Sequence, residues 1–240
     1  MISTEGNYAM TAMTDDDFIT NLVPVNQQIY RSLRKDIVNC TIAPGTLLSE
    51  KEISLLFSVS RQPVREAFIK LAEAGLVQVL PQRGTFVIKI STKRVAEARF
   101  IRQAIECAIA RRVAKTITSL QLASLEHNLH RQTLAAQNGL MREFLELDDN
   151  FHQLLAEFTD CMKAWETIEA FKAAMDRVRF LSLTEVSQPD SLIQQHYSIL
   201  HALTAHDENA AEQAMHDHLQ EIAYSIDPIV RKKPEWFEAE

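Results

Sequence analysis

Residues 58–68 read Ser-Val-Ser-Arg-Gln-Pro-Val-Arg-Glu-Ala-Phe, and this stretch predicts the start of a short helix with two unlike faces. Ser60 is suited to cap the helix, because its hydroxyl can accept a hydrogen bond from a backbone amide one turn on. Pro63 then falls within the first turn, where its missing N–H is tolerated. Val64 and Phe68 follow at helical spacing, so this face should pack against a core.

The opposite face of the same helix carries Arg61, Gln62 and Arg65, which project together because residues three and four apart share a face. Arginine can read guanine and glutamine can read adenine through paired hydrogen bonds in the DNA major groove. The positive end of the helix also favours phosphate. A solvated polar face is the alternative, and this helix alone does not separate the two.

A second helix is predicted directly upstream, over residues 49–57. Ser49 and Glu52 stand three residues apart, which is the pattern of a capping box. Only a tight turn separates this helix from the one that begins near Ser60. That is the spacing of a helix-turn-helix.

Two strands are predicted after the second helix. Gly75 can end the helix in the left-handed conformation, and residues 76–80 and 85–90 then read as strands joined by a turn at 81–84. A helix-turn-helix followed by a hairpin is a winged helix, and Arg83 at the hairpin tip could enter a DNA minor groove. These flanks favour DNA binding over a solvated face.

The distribution of charge supports this interpretation. The 240-residue chain has a formal net charge of −7. Residues 25–90, however, hold nine Lys or Arg against five Asp or Glu, a net +4 that leaves −11 for the remainder. A basic module joined to an acidic one is what a DNA-binding domain attached to a different domain should show.

These motifs together resemble the winged-helix domain of GntR-family transcription regulators. The similar segments are Gly45, Leu48-Ser49-Glu50, residues 59–67, Gly75-Leu76-Val77 and residues 81–87. The resemblance implies a DNA-contacting surface composed of Lys51, Arg61, Gln62, Arg65, Arg83 and Gly84. We expect this domain to span residues 24–90, after a mobile polar tail at 1–23.

Composition indicates a reduced cytoplasmic protein. The DNA binding that the resemblance implies would place it at the bacterial nucleoid when it is bound. The three cysteines, Cys40, Cys107 and Cys161, form no paired motif, so we expect them to be packed thiols. No secretory signal and no apolar run near 18 residues are evident, so no membrane partner is expected.

After Ile90 the apolar spacing is helical throughout, which predicts an all-α bundle over residues 91–228 and a tail at 229–240. The predicted helices are 94–115, 118–136, 140–158, 160–183, 189–205 and 208–225. The fold class is therefore mainly α: a winged helix-turn-helix followed by a bundle of six or seven helices.

Four residues of this bundle are candidates for a metal site. His196 and His218 fall in the middle of apolar stripes, while Asp148 and His152 flank the stripe of a third helix. An ionised aspartate is costly to bury alone, and a divalent cation would satisfy all four side chains. Hydrogen-bonded core histidines remain the alternative. The remaining histidines are predicted to be structural or solvated: His127, His130, His201, His206 and His216.

The second domain is similar to the FCD effector domain of the FadR subfamily of GntR regulators. The similar segments are residues 102–106, 148–152, 196–200 and His218-Leu219. The resemblance implies that Asp148, His152, His196 and His218 bind one divalent ion, with zinc expected first and nickel or manganese also allowed. It implies further that a small carboxylate binds beside the metal, held by Arg102. A salt bridge from Arg102 to Glu106 is the structural alternative.

One segment departs from the subfamily pattern. Residues 158–162 read Phe-Thr-Asp-Cys-Met, where many members have a small residue followed by Gly-Asn. This difference indicates a connection of another shape after the helix that carries Asp148 and His152.

The combined expectation is a DNA-binding regulator that is not an enzyme, and more specifically a repressor. Two copies would present recognition helices to a pseudo-palindromic double-stranded operator. A small organic acid at the metal would change operator affinity, with movement at residues 90–93. One alternative is a metal-dependent hydrolase or lyase, although no general base of the H-E-x-x-H kind is present. Another is a winged helix for protein contacts, with a purely structural metal.

Overall fold

The computed structural model describes residues 23–186 and 188–239. The predicted tail at 1–23 lies outside the described residues except for Val23. The chain forms two compact units, which comprise residues 23–90 with 236–239, and residues 91–235.

The first unit is a winged helix-turn-helix. Its elements in chain order are α1 (Val25–Val38), β1 (Leu47–Leu48), α2 (Glu50–Leu56), α3 (Arg61–Glu73), β2 (Val77–Leu80) and β3 (Gly84–Val87). The strands pair antiparallel in the order β1-β3-β2. Val64 of α3 is fully buried and Phe68 is 3% exposed, which confirms the predicted core face of this helix. Ile29, Leu33 and Ile37 of α1 are also fully buried.

The caps of α2 and α3 agree only in part with those predicted from the sequence. The Ser49 hydroxyl accepts a hydrogen bond from the Glu52 amide at 3.3 Å, as predicted. Ser60 precedes α3, but its hydroxyl makes no capping bond. Gly75 ends α3 with φ of 69°, and the Leu76 amide then donates to the Leu71 carbonyl at 2.9 Å.

The returning strand is shorter than predicted, and a segment from the end of the chain adjoins it. β3 ends at Val87 instead of Ile90. Ile90 instead forms a parallel bridge with Phe237. Phe237 is 4% exposed, and residues 236–239 group with the winged unit.

The second unit contains six helices in its described residues. They are α4 (Thr92–Thr116), α5 (Ser119–Gln137), α6 (Met141–Phe158), α7 (Met162–Glu185), α8 (Pro189–Thr204) and α9 (Glu208–Lys232). The prediction of an all-α bundle is confirmed. Helix α9 extends past the predicted end at 225 and includes Pro228, because Ser225 and Ile229 continue its buried face.

The segment that departs from the subfamily pattern forms a tight turn. Thr159 caps α6 at its C-terminal end and Asp160 adopts φ of 54°, the left-handed conformation that short polar side chains tolerate. The Thr159 hydroxyl also donates to the Ala156 carbonyl at 2.7 Å. An aspartate thus occupies a backbone position that commonly carries glycine or asparagine.

Among the helices of residues 23–186 and 188–239, none combines the length and the apolar character that a membrane span requires.

Candidate metal centre and nucleic-acid interface

Four side chains from three helices converge in the core of the helical unit. Helix α6 supplies Asp148 and His152, one turn apart, while α8 supplies His196 and α9 supplies His218. Each lies on the buried face of its helix, and none is more than 5% exposed. The apolar stripes that pack these helices together therefore also bring the four polar groups to one point.

Three ring nitrogens and one carboxylate oxygen face one another. Nε2 of His218 lies 3.1 Å from Nε2 of His152 and 3.3 Å from Nε2 of His196. Oδ1 of Asp148 lies 3.4 Å from Nε2 of His196, and the four candidate ligand atoms all lie within 4.8 Å of one another. Ligands of a tetrahedral zinc ion at about 2.0–2.1 Å are separated by about 3.3 Å. The cluster therefore has the dimensions of a metal site.

The outer nitrogen of each imidazole faces an oxygen. The partners are Glu106 Oε2 for His152 Nδ1 at 2.5 Å, Gln132 Oε1 for His196 Nδ1 at 2.9 Å, and Gln195 Oε1 for His218 Nδ1 at 3.0 Å. Metal-binding histidines usually donate their second ring N–H to such acceptors, which orients the ring and raises its basicity as a ligand.

Further hydrogen bonds fix the orientation of the two glutamines. Nε2 of Gln132 donates to Oδ1 of Asn128 at 2.7 Å, so its oxygen is left to accept from His196. Nε2 of Gln195 likewise faces Oε2 of Glu221 at 3.4 Å. The two histidines therefore carry their proton on Nδ1 and direct an Nε2 lone pair to the centre of the cluster. Lone pairs at this separation repel, and a central cation removes that repulsion.

The protonation states suit metal ligands. Burial lowers the pKa of His196 to about 3 and that of His218 well below its ordinary value. Burial by itself would raise the pKa of Asp148, but the positive charge of Arg179 lowers it well below its usual range. Neutral imidazoles beside an ionised carboxylate are the forms that coordinate metals.

Arg179 of α7 contacts Asp148 from outside the cluster. Its Nη2 pairs with Oδ2 of Asp148, while Nη1 lies 2.7 Å from Oδ1 of Asp149 and 3.3 Å from Oδ1 of Asp176. The Lys172 ammonium also pairs with Asp149. This buried network engages one oxygen of Asp148 and leaves the other directed at His196.

Arg102 is 4% exposed, and its Nε lies 2.5 Å from Oε1 of Glu106. The salt bridge that was the structural alternative for Arg102 is therefore present, and the role of Arg102 in effector binding stays a prediction. Arg102 also borders a small cavity beside the cluster, together with Asp148, Arg179 and His218. The cavity measures about 30 Å³, which is room for a water molecule or two because a water needs about 10–15 Å³.

Sequence reasoning missed most of the groups that surround the four candidate ligands. Gln132 is fully buried on the same face of α5 as Leu125 and Leu129. A glutamine in an apolar stripe of the sequence predicts a buried hydrogen-bonding group, so Gln132 could have been identified from the sequence. Gln195 and Arg179 carry no such signal, because only the packing of α7, α8 and α9 brings them to the cluster.

The remaining histidines lie away from the cluster. His127, His130 and His201 are exposed. Nδ1 of His206 lies 2.8 Å from the Ala114 carbonyl oxygen, which is a structural contact between helix ends. His216 pairs with its exposed neighbour Asp217.

The six predicted DNA-contacting residues are all exposed on the winged unit: Lys51, Arg61, Gln62, Arg65, Arg83 and Gly84. Nε of Arg65 lies 2.9 Å from Oε2 of Glu50, and Nε2 of Gln62 donates to Glu66 at 3.1 Å. Arg83 lies in the turn between β2 and β3. Gly84 adopts φ of 108°, and a Cβ there would lie 2.6 Å from Cδ1 of Leu47.

Two family descriptions match separate parts of the sequence. Residues 25–87 match "Bacterial regulatory proteins, gntR family", and residues 97–221 match "FCD domain". The first match covers the winged helix, and the second covers all four residues of the cluster.

Similar proteins agree with the two family matches. The chain is 56% identical to the HTH-type transcriptional repressor RspR of Escherichia coli K12, over 95% of this chain and 100% of the relative. It is 37% identical to an uncharacterised HTH-type transcriptional regulator of Streptomyces ambofaciens, over 88% and 89% of the two chains. Escherichia coli McbR/YncC shares the fold, with a TM-score of 0.73, 22% identity and coverage of 87% and 100%. The relatives from Escherichia coli K12 and Streptomyces ambofaciens are named as transcriptional regulators and not as enzymes, so the hydrolase or lyase alternative has no support.

Proposed function

We propose that this chain, which belongs to the GntR family of bacterial regulatory proteins and carries an FCD domain, is a transcriptional repressor controlled by a small organic acid bound at a metal ion. The observation that carries the control mechanism is the convergence of Asp148, His152, His196 and His218 in the helical unit. Repression is supported by the name of the relative that is 56% identical.

A divalent ion at the cluster is supported by the donor atoms and their surroundings. Three imidazole nitrogens and one carboxylate oxygen at these separations suit zinc, and nickel or manganese accept similar ligands. Glu106, Gln132 and Gln195 would hold the rings in orientation, and Arg179 would hold Asp148. The ion would supply a Lewis-acidic point at which a carboxylate oxygen can bind.

Two buried cations beside the cluster support an anionic effector. Arg102 and Arg179 border the cavity together with Asp148 and His218, and they are only 4% and 7% exposed. A divalent ion would add positive charge at the same point. A carboxylate between the ion and these guanidinium groups would make charge-assisted hydrogen bonds.

The small size of the cavity supports coupling between binding and conformation. An organic acid does not fit into about 30 Å³, so its binding requires Arg102, Arg179 or the helices that carry them to move. A ligand shifts a conformational equilibrium only when it binds the two states with different affinity. A site that must open to admit the ligand meets that condition.

DNA binding in this proposal uses two copies of the chain. A homodimer would place two α3 helices in successive major grooves of a pseudo-palindromic operator. Arg61, Gln62 and Arg65 would contact base edges, while Lys51 and the turn at Arg83 and Gly84 would contact the backbone or the minor groove. Arg65 would exchange its ion pair with Glu50 for a DNA contact.

Elemental analysis and DNA binding test the two halves of the proposal separately. We expect a single divalent ion per chain, lost from His152→Ala and His196→Ala, with DNA binding retained by the metal-free proteins. Arg65→Ala should show the reverse, with metal retained and operator binding lost. A metal-free wild-type protein would overturn the control mechanism. Loss of both properties in any one folded variant would contradict their separation into two domains.

A further inference from the structure

We infer that residues 234–238 form a second connection through which α9 acts on the winged-helix unit. The sequence suggests a single hinge at residues 90–93 and a simple tail after 229. The chain instead passes between the two compact units twice, at Ile90–Ser91 and at Glu235–Trp236.

The segment is held on the winged unit by backbone hydrogen bonds. The Ile90 amide donates to the Trp236 carbonyl at 2.9 Å, and the Glu238 amide donates to the Ile90 carbonyl at 2.9 Å. Phe237 lies between these two bonds and is 4% exposed, while Ile90 is 1% exposed. A buried aromatic side chain flanked by two backbone bonds is the pattern of a docked strand.

The other end of the segment continues directly from α9. This helix carries His218 and ends at Lys232, and a single 3-10 turn, Pro234–Trp236, follows. The end of α9 is also tied to α7. The hydroxyls of Ser182 and Ser225 lie 2.8 Å apart, and the Lys232 ammonium donates to the Glu185 carbonyl at 2.7 Å.

These contacts change the expected nature of the hinge. Helix α4 begins at Thr92 with Ser91 as its cap, so the first connection has almost no slack. Its last residue on the winged unit, Ile90, is the residue that the C-terminal segment binds. The two passages of the chain therefore leave the winged unit side by side, and a shift of α9 acts at the same point as a shift of α4.

A mechanical consequence follows for control. Helix α9 is continuous from His218 to Lys232 and lacks only the hydrogen bond that Pro228 cannot donate, so we expect displacement of His218 by a ligand to move the Lys232 end as well. The docked segment transfers that displacement to Ile90, which follows strand β3 of the wing. This route deepens the proposed function, since it rests on the helical unit sensing a ligand, but its existence can be tested without metal or effector.

Hydrogen exchange read at the Ile90 and Glu238 amides tests whether the segment is docked. Both amides should be protected in the metal-free wild type. Phe237→Ala should accelerate their exchange by at least about tenfold, because it removes a buried aromatic side chain. Glu238→Pro removes the N–H that binds Ile90 and should accelerate exchange at the Ile90 amide, whereas Ala239→Pro, one residue further on, should not. Unprotected amides in the wild type would overturn the proposal.

A double-mutant cycle tests whether the segment transmits a change in α9. His218→Ala perturbs α9 without any need for metal, and its effect on exchange at Ile90 should disappear when Phe237→Ala is also present. Equal effects of His218→Ala in both backgrounds would overturn the transmission.

Addition of Zn²⁺ to the wild type separates failure of the segment from failure of the proposed function. Slower exchange is expected both in α9 and at Ile90. A response in α9 that does not reach Ile90 would overturn the transmission and leave the metal site supported. If exchange in α9 does not change with Zn²⁺, the metal site is contradicted. The transmission is then decided by the double-mutant cycle alone.

Discussion

The amide oxygen of Gln195 lies 3.0 Å from Nδ1 of His218. Gln195 itself directly precedes the candidate ligand His196 on α8. The adjacent Gln194 is exposed. Two neighbouring glutamines on α8 thus differ in whether they face the cluster. This difference offers a matched pair of variants.

Gln195→Met should weaken zinc binding, whereas Gln194→Met should not. Loss of the acceptor lets the His218 ring rotate and change its tautomer, and such losses typically cost about 10–100-fold in metal affinity. Competition with a chromophoric chelator measures the change. Equal zinc affinity in the two variants would show that the Gln195 contact does not orient a ligand.

Arg179→Met should destabilise the helical unit far more than Arg111→Met. Removal of Arg179 leaves Asp148, Asp149 and Asp176 without their shared partner, and breaking a buried ion pair costs about 3–5 kcal/mol. Arg111 pairs with Glu212 at the surface, where both side chains are 44% exposed, and solvent-exposed pairs contribute little to stability.

Urea unfolding of the metal-free proteins, followed by circular dichroism, measures this difference. The same variants with zinc add a second comparison. If Asp148 is a ligand, bound zinc should recover part of the stability lost in Arg179→Met, since the ion replaces a positive charge beside that carboxylate. Similar stability of the two arginine variants would contradict a buried network that depends on Arg179.

Arg65→Ala should reduce the salt dependence of binding to non-specific duplex DNA. Each cationic side chain that neutralises a phosphate contributes about 0.9 to the slope of log affinity against log salt. Glu50→Gln should strengthen the same binding, because it removes the carboxylate that pairs with Arg65. Fluorescence anisotropy over a range of salt concentrations measures both. Arg111→Ala in the helical unit is the control and should leave the slope unchanged.

Gly84→Ala should destabilise the winged unit more than Gly139→Ala destabilises the helical unit. Both glycines have positive φ, 108° and 69°, so both substitutions carry backbone strain of about 1–3 kcal/mol. Only at Gly84 would the new methyl collide with Leu47, whereas nothing lies within 4 Å at Gly139. Thermal unfolding measures the difference, and Leu47→Ala should partly restore stability to Gly84→Ala. If Leu47→Ala restores no stability, the whole destabilisation by Gly84→Ala comes from backbone strain.

The sequence alone was sufficient for the winged helix and for the helices of the second unit. Helical spacing, the cap at Ser49 and the left-handed Gly75 act over a few residues, so their consequences can be read from the chain directly. The spacing of Asp148 and His152 on one helix and the positions of His196 and His218 on apolar stripes are also local patterns that can be read from the sequence.

Only the tertiary structure decided what surrounds those four residues. Glu106, Gln132, Gln195 and Arg179 come from different helices, and their roles depend on how the helices pack. The pairing of Phe237 with Ile90 spans most of the chain and follows no local periodicity. Such contacts are selected by the packing of buried surfaces as a whole, and no segment carries the information for them alone.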